Sequence, residues 1–121
     1  MSDNTCLRVF ANIEQIDNCK KVINENNDQF KKLSNALGLA GNEVRFKILF
    51  LLQKEGKMCP CDLSDILQMT VPAISQHLKK LRDGNLIVSK KVATTVFYSL
   101  NHAMIDVLNP VLSVLNYVEN E

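Results

Sequence analysis

The strongest constraint on the fold is a pair of short helical segments joined by three residues. A break at residues 68–70 separates segment 60–67, which opens with Pro60, from segment 71–84, which ends with Gly84. Pro favours the first turn of a helix and Gly its C-terminal end. The second segment places three apolar residues on one helical face: Ile74, Leu78 and Leu81. This spacing predicts a helix-turn-helix.

Two β-branched runs follow the helix pair. The runs are LIVSK and TVFYSL, and residues 91–94 separate them. Runs of this composition predict a β-hairpin. The connecting residues include no Gly, Asn or Asp, which are typical of tight hairpin turns, so the register is left open.

Apolar periodicity predicts four further helices around this centre. The predicted spans are 12–24, 28–40 and 42–56 before the pair, and 102–118 after the hairpin. Asn42 and Gly56 are the predicted ends of the third helix. Pro110 lies inside the last helix, so a kink or a break is expected near Asn109.

A chain of 121 residues with 46% hydrophobic residues can bury a core without disulfides. We expect one domain, residues 12–121, preceded by an N-terminal arm, residues 1–11. No apolar run approaches the roughly eighteen residues of a membrane span, and the first ten residues are too polar for a signal peptide. A cytoplasmic protein without a membrane partner is therefore expected. Its four cysteines would be reduced there, which favours metal ligation or reactive chemistry over structural bridges.

Basic charge is concentrated in residues 71–95, where five basic side chains stand against Asp83 alone, although the whole chain has a net charge of only +1. Such a face suits a polyanion, and double-stranded DNA is the expected partner. The order of helices, helix pair, hairpin and helix is that of a winged-helix DNA-binding domain, mainly α with a β-hairpin wing. The candidate DNA-contacting residues are Thr70, Ser75, Gln76, His77, Lys79, Lys80, Arg82, Lys90, Lys91, Thr94 and Thr95.

These residues have alternative interpretations. The lysines could form an ordinary solvated face, and Ser75 and Gln76 could be ordinary surface positions. If these two residues do contact DNA, a phosphate is as plausible a partner as a base, because at least half of protein–DNA hydrogen bonds go to the backbone. His77 lies beside the apolar face of its helix. We interpret it as a packing or phosphate-contacting histidine rather than a metal ligand.

Residues 61–100 read CDLSDILQMTVPAISQHLKKLRDGNLIVSKKVATTVFYSL. This stretch resembles the ArsR/SmtB family of metal-responsive bacterial repressors in the order and spacing of three elements, residues 59–63, 75–87 and 98–100. The resemblance extends over about residues 28–118. It implies a homodimer that binds an operator palindrome when metal-free and releases it when metal binds. The first and last helices would form the interface, which gives these candidate residues: Ile13, Ile16, Ile105, Leu108, Leu112 and Leu115.

The resemblance also implies two alternative metal sites. One joins the C-terminal helices across the dimer, and its four positions correspond here to His102, Met104, Leu115 and Val118. Only His102 could bind a hard or borderline metal ion, so this site is expected to be absent.

The other site uses two cysteines at the start of the helix before the recognition helix, and here both are present as Cys59 and Cys61. Thiolates two residues apart at a helix N-terminus can bind one ion, because the positive end of the helix dipole stabilises negative charge. Arsenite-sensing relatives often have a third cysteine where this chain has Ser64. Further ligands must therefore come from elsewhere in the dimer.

Cadmium- and lead-sensing relatives instead complete the site with cysteines from the N-terminal arm of the partner subunit, commonly two that lie four residues apart. Cys6 matches the first, whereas the second position is Phe10. Cys19 is either a fourth ligand or a small buried hydrophobe. An all-thiolate site selects a soft ion as inducer: Cd(II) or Pb(II), which the arm cysteine favours, or Hg(II), Bi(III), Zn(II), As(III) or Sb(III).

Two other functions compete with a metal-responsive repressor. The first keeps DNA binding but makes Cys59 or Cys61 a redox switch. The second, weaker, is a thiol enzyme using Cys59. Neither histidine has an evident carboxylate partner and there is no glycine-rich phosphate loop, so we do not expect an enzyme.

Overall fold

The computed structural model describes residues 6–115. In this range the chain forms six helices and one antiparallel two-stranded sheet. The elements are α1 (Ile13–Glu25), α2 (Asn27–Ala40), α3 (Glu43–Glu55), α4 (Pro60–Leu67), α5 (Val71–Asp83), β1 (Ile87–Val92), β2 (Thr95–Leu100) and α6 (His102–Leu112). The predicted winged helix-turn-helix, mainly α with a hairpin wing, is confirmed.

The chain divides into two compact units, Met1–Lys32 and Leu33–Glu121, with the boundary inside α2. The first unit contains α1, which has no buried residue. The second contains the core, the helix pair and the hairpin. The division into an arm at residues 1–11 and a domain at 12–121 stays a prediction about how the chain functions.

Polar side chains cap the N-termini of α1, α3, α5 and α6, because each accepts a hydrogen bond from a backbone N–H that the first turn leaves unpaired. Asn42 Oδ1 accepts from Arg45 N at 3.1 Å, and Thr70 Oγ1 accepts from Ala73 N at 3.3 Å. Gly56 ends α3 with a φ of 89°, a conformation that a side chain would strain. The predicted ends of α3 and the predicted N-cap of α5 are confirmed.

The core of the second unit holds α5 in place. Ile74, Leu78 and Leu81 are fully buried. They belong to one cluster with apolar side chains from α3, α4, β1 and α6, among them Ile48, Leu49, Leu52, Leu63, Ile87 and Leu108. The predicted apolar face of α5 is thus its core face, which leaves the opposite face to solvent.

The hairpin is tighter than the sequence predicted. β1 continues to Val92, which pairs with Thr95, so the connection is only Ala93 and Thr94 rather than residues 91–94. Ala93 has a φ of 56° and takes the left-handed position that Gly or Asn usually holds in two-residue turns. The pairing of the two strands thus holds Ala93 at a positive φ, although alanine by itself prefers a negative φ.

The last helix is shorter than predicted. Of the kink or break expected near Asn109, the break does not occur, because α6 continues through Pro110; the helix ends at Leu112 instead of residue 118. Ser113 is the C-cap, and beyond it the pairing changes: Val114 N and Leu115 N donate to carbonyls three residues back, at 3.1 and 3.0 Å, instead of four. Val118 lies outside the described residues.

Candidate functional site

Cys59 and Cys61 lie in the first turn of α4. Cys59 is the N-cap residue and half-buried, Pro60 occupies the first helical position, and Cys61 is exposed. The Cys59 side chain makes no capping hydrogen bond, and both cysteines are free thiols. The two sulfurs are therefore unused by the fold and available for chemistry at a helix N-terminus.

A two-residue bridge ties the residue before Cys59 to the wing. Met58 N donates to the Tyr98 carbonyl at 3.0 Å, and Tyr98 N donates to the Met58 carbonyl at 2.8 Å. Tyr98 belongs to β2. Sequence reasoning missed this bridge, since a single paired residue leaves no alternating pattern.

The turn between α4 and α5 is held by Ser64. Its hydroxyl donates to the Met69 carbonyl, and Met69 N donates to the Ser64 carbonyl at 3.2 Å. Gln68, between them, has a left-handed φ of 56°. Ser64 thus connects α4 to Met69, the residue before the Thr70 cap. This is the position where arsenite-sensing relatives often have a cysteine.

The described residues of each unit do not complete a metal site. Within residues 6–115, no group of three or more His, Cys, Asp or Glu side chains could hold a metal ion. Cys6 and Cys19 belong to the first unit, and both are exposed. The alternative that made Cys19 a small buried hydrophobe is therefore wrong for the single chain. The two thiols of α4 suit a soft ion but need at least one further ligand.

Met104 and Leu115 occupy two of the positions that correspond to the alternative metal site, whose absence stays a prediction. Met104 is buried in the core, with 3% of its surface exposed, and Leu115 is an exposed hydrophobe. Leu108 and Leu112 were predicted to contact a second copy, but each is only 1% exposed because it packs inside its own chain. Leu108 and Leu112 are therefore removed from the list of candidate interface residues.

The other candidate interface residues remain accessible. Ile13 and Leu115 are exposed, and Ile16 and Ile105 are half-buried. Their contact with a second copy stays a prediction.

The face of α5 opposite the core carries the candidate DNA contacts. Five side chains are exposed there: Ser75, Gln76, Lys79, Lys80 and Arg82. Lys79 Nζ donates to Asp83 Oδ2 at 2.7 Å, and this hydrogen bond lowers the pKa of Asp83. The hydroxyl oxygen of Thr70, by contrast, already accepts the hydrogen bond from Ala73 N that caps α5. In the wing, Lys90, Lys91 and Thr94 are exposed and Thr95 is half-buried.

His77 is half-buried beside this face and adjoins an arginine that sequence reasoning did not single out. Arg45, on α3, donates from Nε to the Leu39 carbonyl at 2.7 Å, and its Nη1 lies 3.5 Å from His77 Nδ1. Burial lowers the pKa of His77, and the charges of Arg45 and Lys80 lower it further. The pair is far apart in sequence, so no local spacing could have revealed it.

None of the helices in residues 6–115 combines the length and the apolar character that a membrane crossing demands.

Comparison with known proteins identifies the group to which this architecture belongs. Residues 42–89 match the model of the family described as bacterial regulatory protein, arsR family. The arsenical resistance operon repressor of Staphylococcus xylosus is 36% identical over 87 residues, which are 72% of this chain and 83% of that protein. A cadmium resistance transcriptional regulatory protein CadC homolog of Staphylococcus aureus is 26% identical over 106 residues, covering 84% and 82% of the two chains.

Among solved structures, HlyU from Vibrio cholerae N16961 superposes with a TM-score of 0.66 at 32% identity. The match covers 73% of this chain and 95% of that one. Together with the helix-turn-helix, the hairpin wing and the basic exposed face, these relationships show that the chain belongs to the arsR family of bacterial regulatory proteins and is a DNA-binding transcriptional repressor rather than an enzyme.

Proposed function

We propose that this repressor is a cytoplasmic homodimer that releases its operator when a soft, thiophilic metal ion binds the thiolates of Cys59 and Cys61. The observation that carries the proposal is the pair of free thiols in the first turn of α4, separated from α5 only by the rest of that short helix and a three-residue turn. Thiolates select soft ions. The names of the arsenical and cadmium resistance relatives support a metal or metalloid as inducer.

The proposed DNA interface consists of the exposed face of α5 and the wing. The second helix of a helix-turn-helix enters the major groove, and the wing contacts the adjacent backbone or minor groove. Ser75 and Gln76 have side chains that can read base edges. The basic residues of the interface would neutralise phosphates: Lys79, Lys80, Arg82, Lys90 and Lys91. For Lys79, a phosphate would replace Asp83, its partner in the free protein.

Two contacts give the thiol site a physical route to this interface. Ser64 links α4 to the residue before the Thr70 cap of α5, and the Met58–Tyr98 bridge links the residue before Cys59 to the wing. A shift of the first turn of α4 would therefore act on both DNA-contacting elements. Operator binding and metal binding would then oppose each other with the same free energy.

The remaining ligands are proposed to be Cys6 and, with less support, Cys19. Both are exposed free thiols of the first unit. With Cys6 alone the site has three sulfurs, which suits Pb(II) and also As(III) or Sb(III), whereas a fourth sulfur from Cys19 suits Cd(II) or Zn(II). We favour Cd(II) or Pb(II), because an arm cysteine is present and Ser64 replaces the third local cysteine.

The dimer is proposed to form through α1, Ile105 on α6 and Leu115, which lies just after the end of α6. Ile13 is 63% exposed and Leu115 is 40% exposed, so both leave much of a large apolar side chain in contact with water. Sedimentation equilibrium should give twice the 13.6 kDa chain mass. Ile13→Glu should lower that mass toward the monomer value, and an unchanged dimer would remove α1 from the interface.

A redox-responsive repressor is the second candidate. The observation in its favour is that all four cysteines are free and three of them, Cys6, Cys19 and Cys61, are exposed. Mass spectrometry after peroxide treatment would reveal a sulfenic acid or a disulfide. Oxidation that releases DNA without any metal ion would favour this candidate.

The test of the proposed function is operator binding by fluorescence anisotropy at one fixed salt concentration, since phosphate contacts make affinity depend on salt. The metal-free protein should bind. The protein–DNA complex is then titrated with Cd(II), Pb(II), Hg(II), Bi(III), Zn(II) and As(III), and with Mg(II) as the hard-ion control. The soft ions should release the DNA, and Mg(II) should not. Thiolate-to-metal charge-transfer absorbance in Cys6→Ser and Cys19→Ser gives the coordination number. If no soft ion weakens operator binding, the metal-responsive function is wrong.

A further inference from the structure

Arg45 connects three elements of the second unit. It lies in the first turn of α3, where its backbone N donates to the Asn42 cap at 3.1 Å. Its Nε donates to the Leu39 carbonyl near the end of α2 at 2.7 Å, and its Nη1 lies 3.5 Å from Nδ1 of His77 on α5. One guanidinium thus reaches from the α2 C-terminus to α5, which is the recognition helix of the proposed DNA interface.

The chemistry of the guanidinium determines the state of the imidazole. Arginine carries only donors and stays protonated in proteins. A ring nitrogen that pairs with it must therefore be an acceptor, which requires Nδ1 without a proton. A neutral imidazole with Nδ1 free carries its proton on Nε2. Because the two nitrogens lie on opposite sides of the ring, the Nε2–H group points away from Arg45.

We propose that Arg45 is a positioning residue for operator recognition, which holds His77 neutral with its proton on Nε2 and so presents one fixed hydrogen-bond donor to DNA. The proposal rests on the DNA interface proposed above. The donor would suit a phosphate oxygen or the N7 and O6 acceptors of guanine. The nearby Lys80 would not duplicate this donor, because an ammonium group rotates freely whereas His77 is fixed by Arg45.

The electrostatic surroundings of His77 agree with a neutral ring. Burial lowers its pKa, and two cations contribute, Arg45 from α3 and Lys80 from α5 itself. Removing Arg45 should raise the pKa again toward the ordinary value near 6.5, without restoring it fully, because burial and Lys80 remain. Acidification should then protonate His77 at higher pH in the variant than in the wild type.

The tautomer can be measured without DNA by long-range ¹H–¹⁵N spectra of the imidazole rings at pH 7.5. The wild type should show His77 with a pyrrole-type Nε2 and a pyridine-type Nδ1, with exposed His102 as an internal reference. In Arg45→Met, which keeps length but has no donor, the signals should move toward the average of two tautomers. A protonated Nδ1 in the wild type, or an unchanged tautomer in Arg45→Met, overturns the proposal.

The operator arm uses His77→Gln and His77→Asn, which do not depend on the folding of an Arg45 variant. The Gln amide can place a donor near the position of Nε2, whereas the shorter Asn amide reaches only the position of Nδ1. We expect His77→Gln to bind nearly as the wild type, and His77→Asn to lose about tenfold, the effect of one charge-assisted hydrogen bond. Equal affinity in both variants overturns the donor role. The metal response should persist throughout, which separates this failure from failure of the proposed function.

The pH profile of operator affinity distinguishes positioning from a merely structural role. Affinity should rise on acidification as His77 gains charge, and the midpoint of that rise should lie at higher pH in Arg45→Met than in the wild type. Arg45→Lys retains the cation but loses the planar pair of donors, so its midpoint should remain close to that of the wild type while its tautomer signals change. Identical midpoints in the wild type and Arg45→Met contradict the proposal.

Discussion

In Cys59→Ser, a soft metal ion should no longer release operator DNA, whereas the metal-free variant should bind the operator as tightly as the wild type. Serine keeps the size and the N-cap preference of the position, so α4 should form normally. It removes one of the two thiolates that the first turn of α4 offers. Typical coupling between two sites is about 1–3 kcal/mol, so the wild-type response to metal should be roughly 5- to 150-fold in affinity. The variant should show none of it.

Anisotropy titrations with and without Cd(II) or Pb(II), at one salt concentration, give the ratio of affinities for each protein. Met58→Leu is the matched control, because it removes the neighbouring sulfur while conserving volume and leaves the backbone bridge to Tyr98 intact. Its metal response should equal that of the wild type. A full metal response in Cys59→Ser would eliminate the thiol mechanism, even if the repressor itself remains metal-responsive.

The parts of the fold that depend on neighbouring residues were predictable from the sequence. Asn42, Gly56 and Thr70 mark helix ends through their own backbone or capping chemistry, and each does so in the structure. The apolar face of α5 followed from helical periodicity alone. Local hydrogen bonds and burial determine these features, and both leave a signature within a few residues.

Features that depend on distant partners were not predictable. The Met58–Tyr98 bridge and the Arg45–His77 pair join segments 40 and 32 residues apart, and neither has a periodic signature. The end of α6 is marked by a change from i→i−4 to i→i−3 hydrogen bonds at Val114 and Leu115, and no Gly or Pro after Leu112 signals this end in the sequence.

The candidate metal site shows the same division. The sequence alone located the thiols of Cys59 and Cys61 at a helix start, since Pro60 marks that start. The number of ligands could not be obtained in this way, because the remaining thiols, Cys6 and Cys19, belong to another compact unit. Their approach to α4 depends on the arrangement of units or of two copies, which residue spacing does not encode.

Leu78→Ala should lower the free energy of unfolding by about 2–5 kcal/mol, the usual cost of truncating a buried leucine and leaving a cavity. Leu78 is fully buried on α5, which packs against α3, α4 and β1, so its loss loosens the recognition helix itself. Urea denaturation at one protein concentration measures the change, since dimerisation would make stability depend on concentration. Val92→Ala, at a wing position that is 47% exposed, is the control and should stay within about 0.5 kcal/mol. A loss below about 1 kcal/mol for Leu78→Ala would mean that α5 is not anchored by this core.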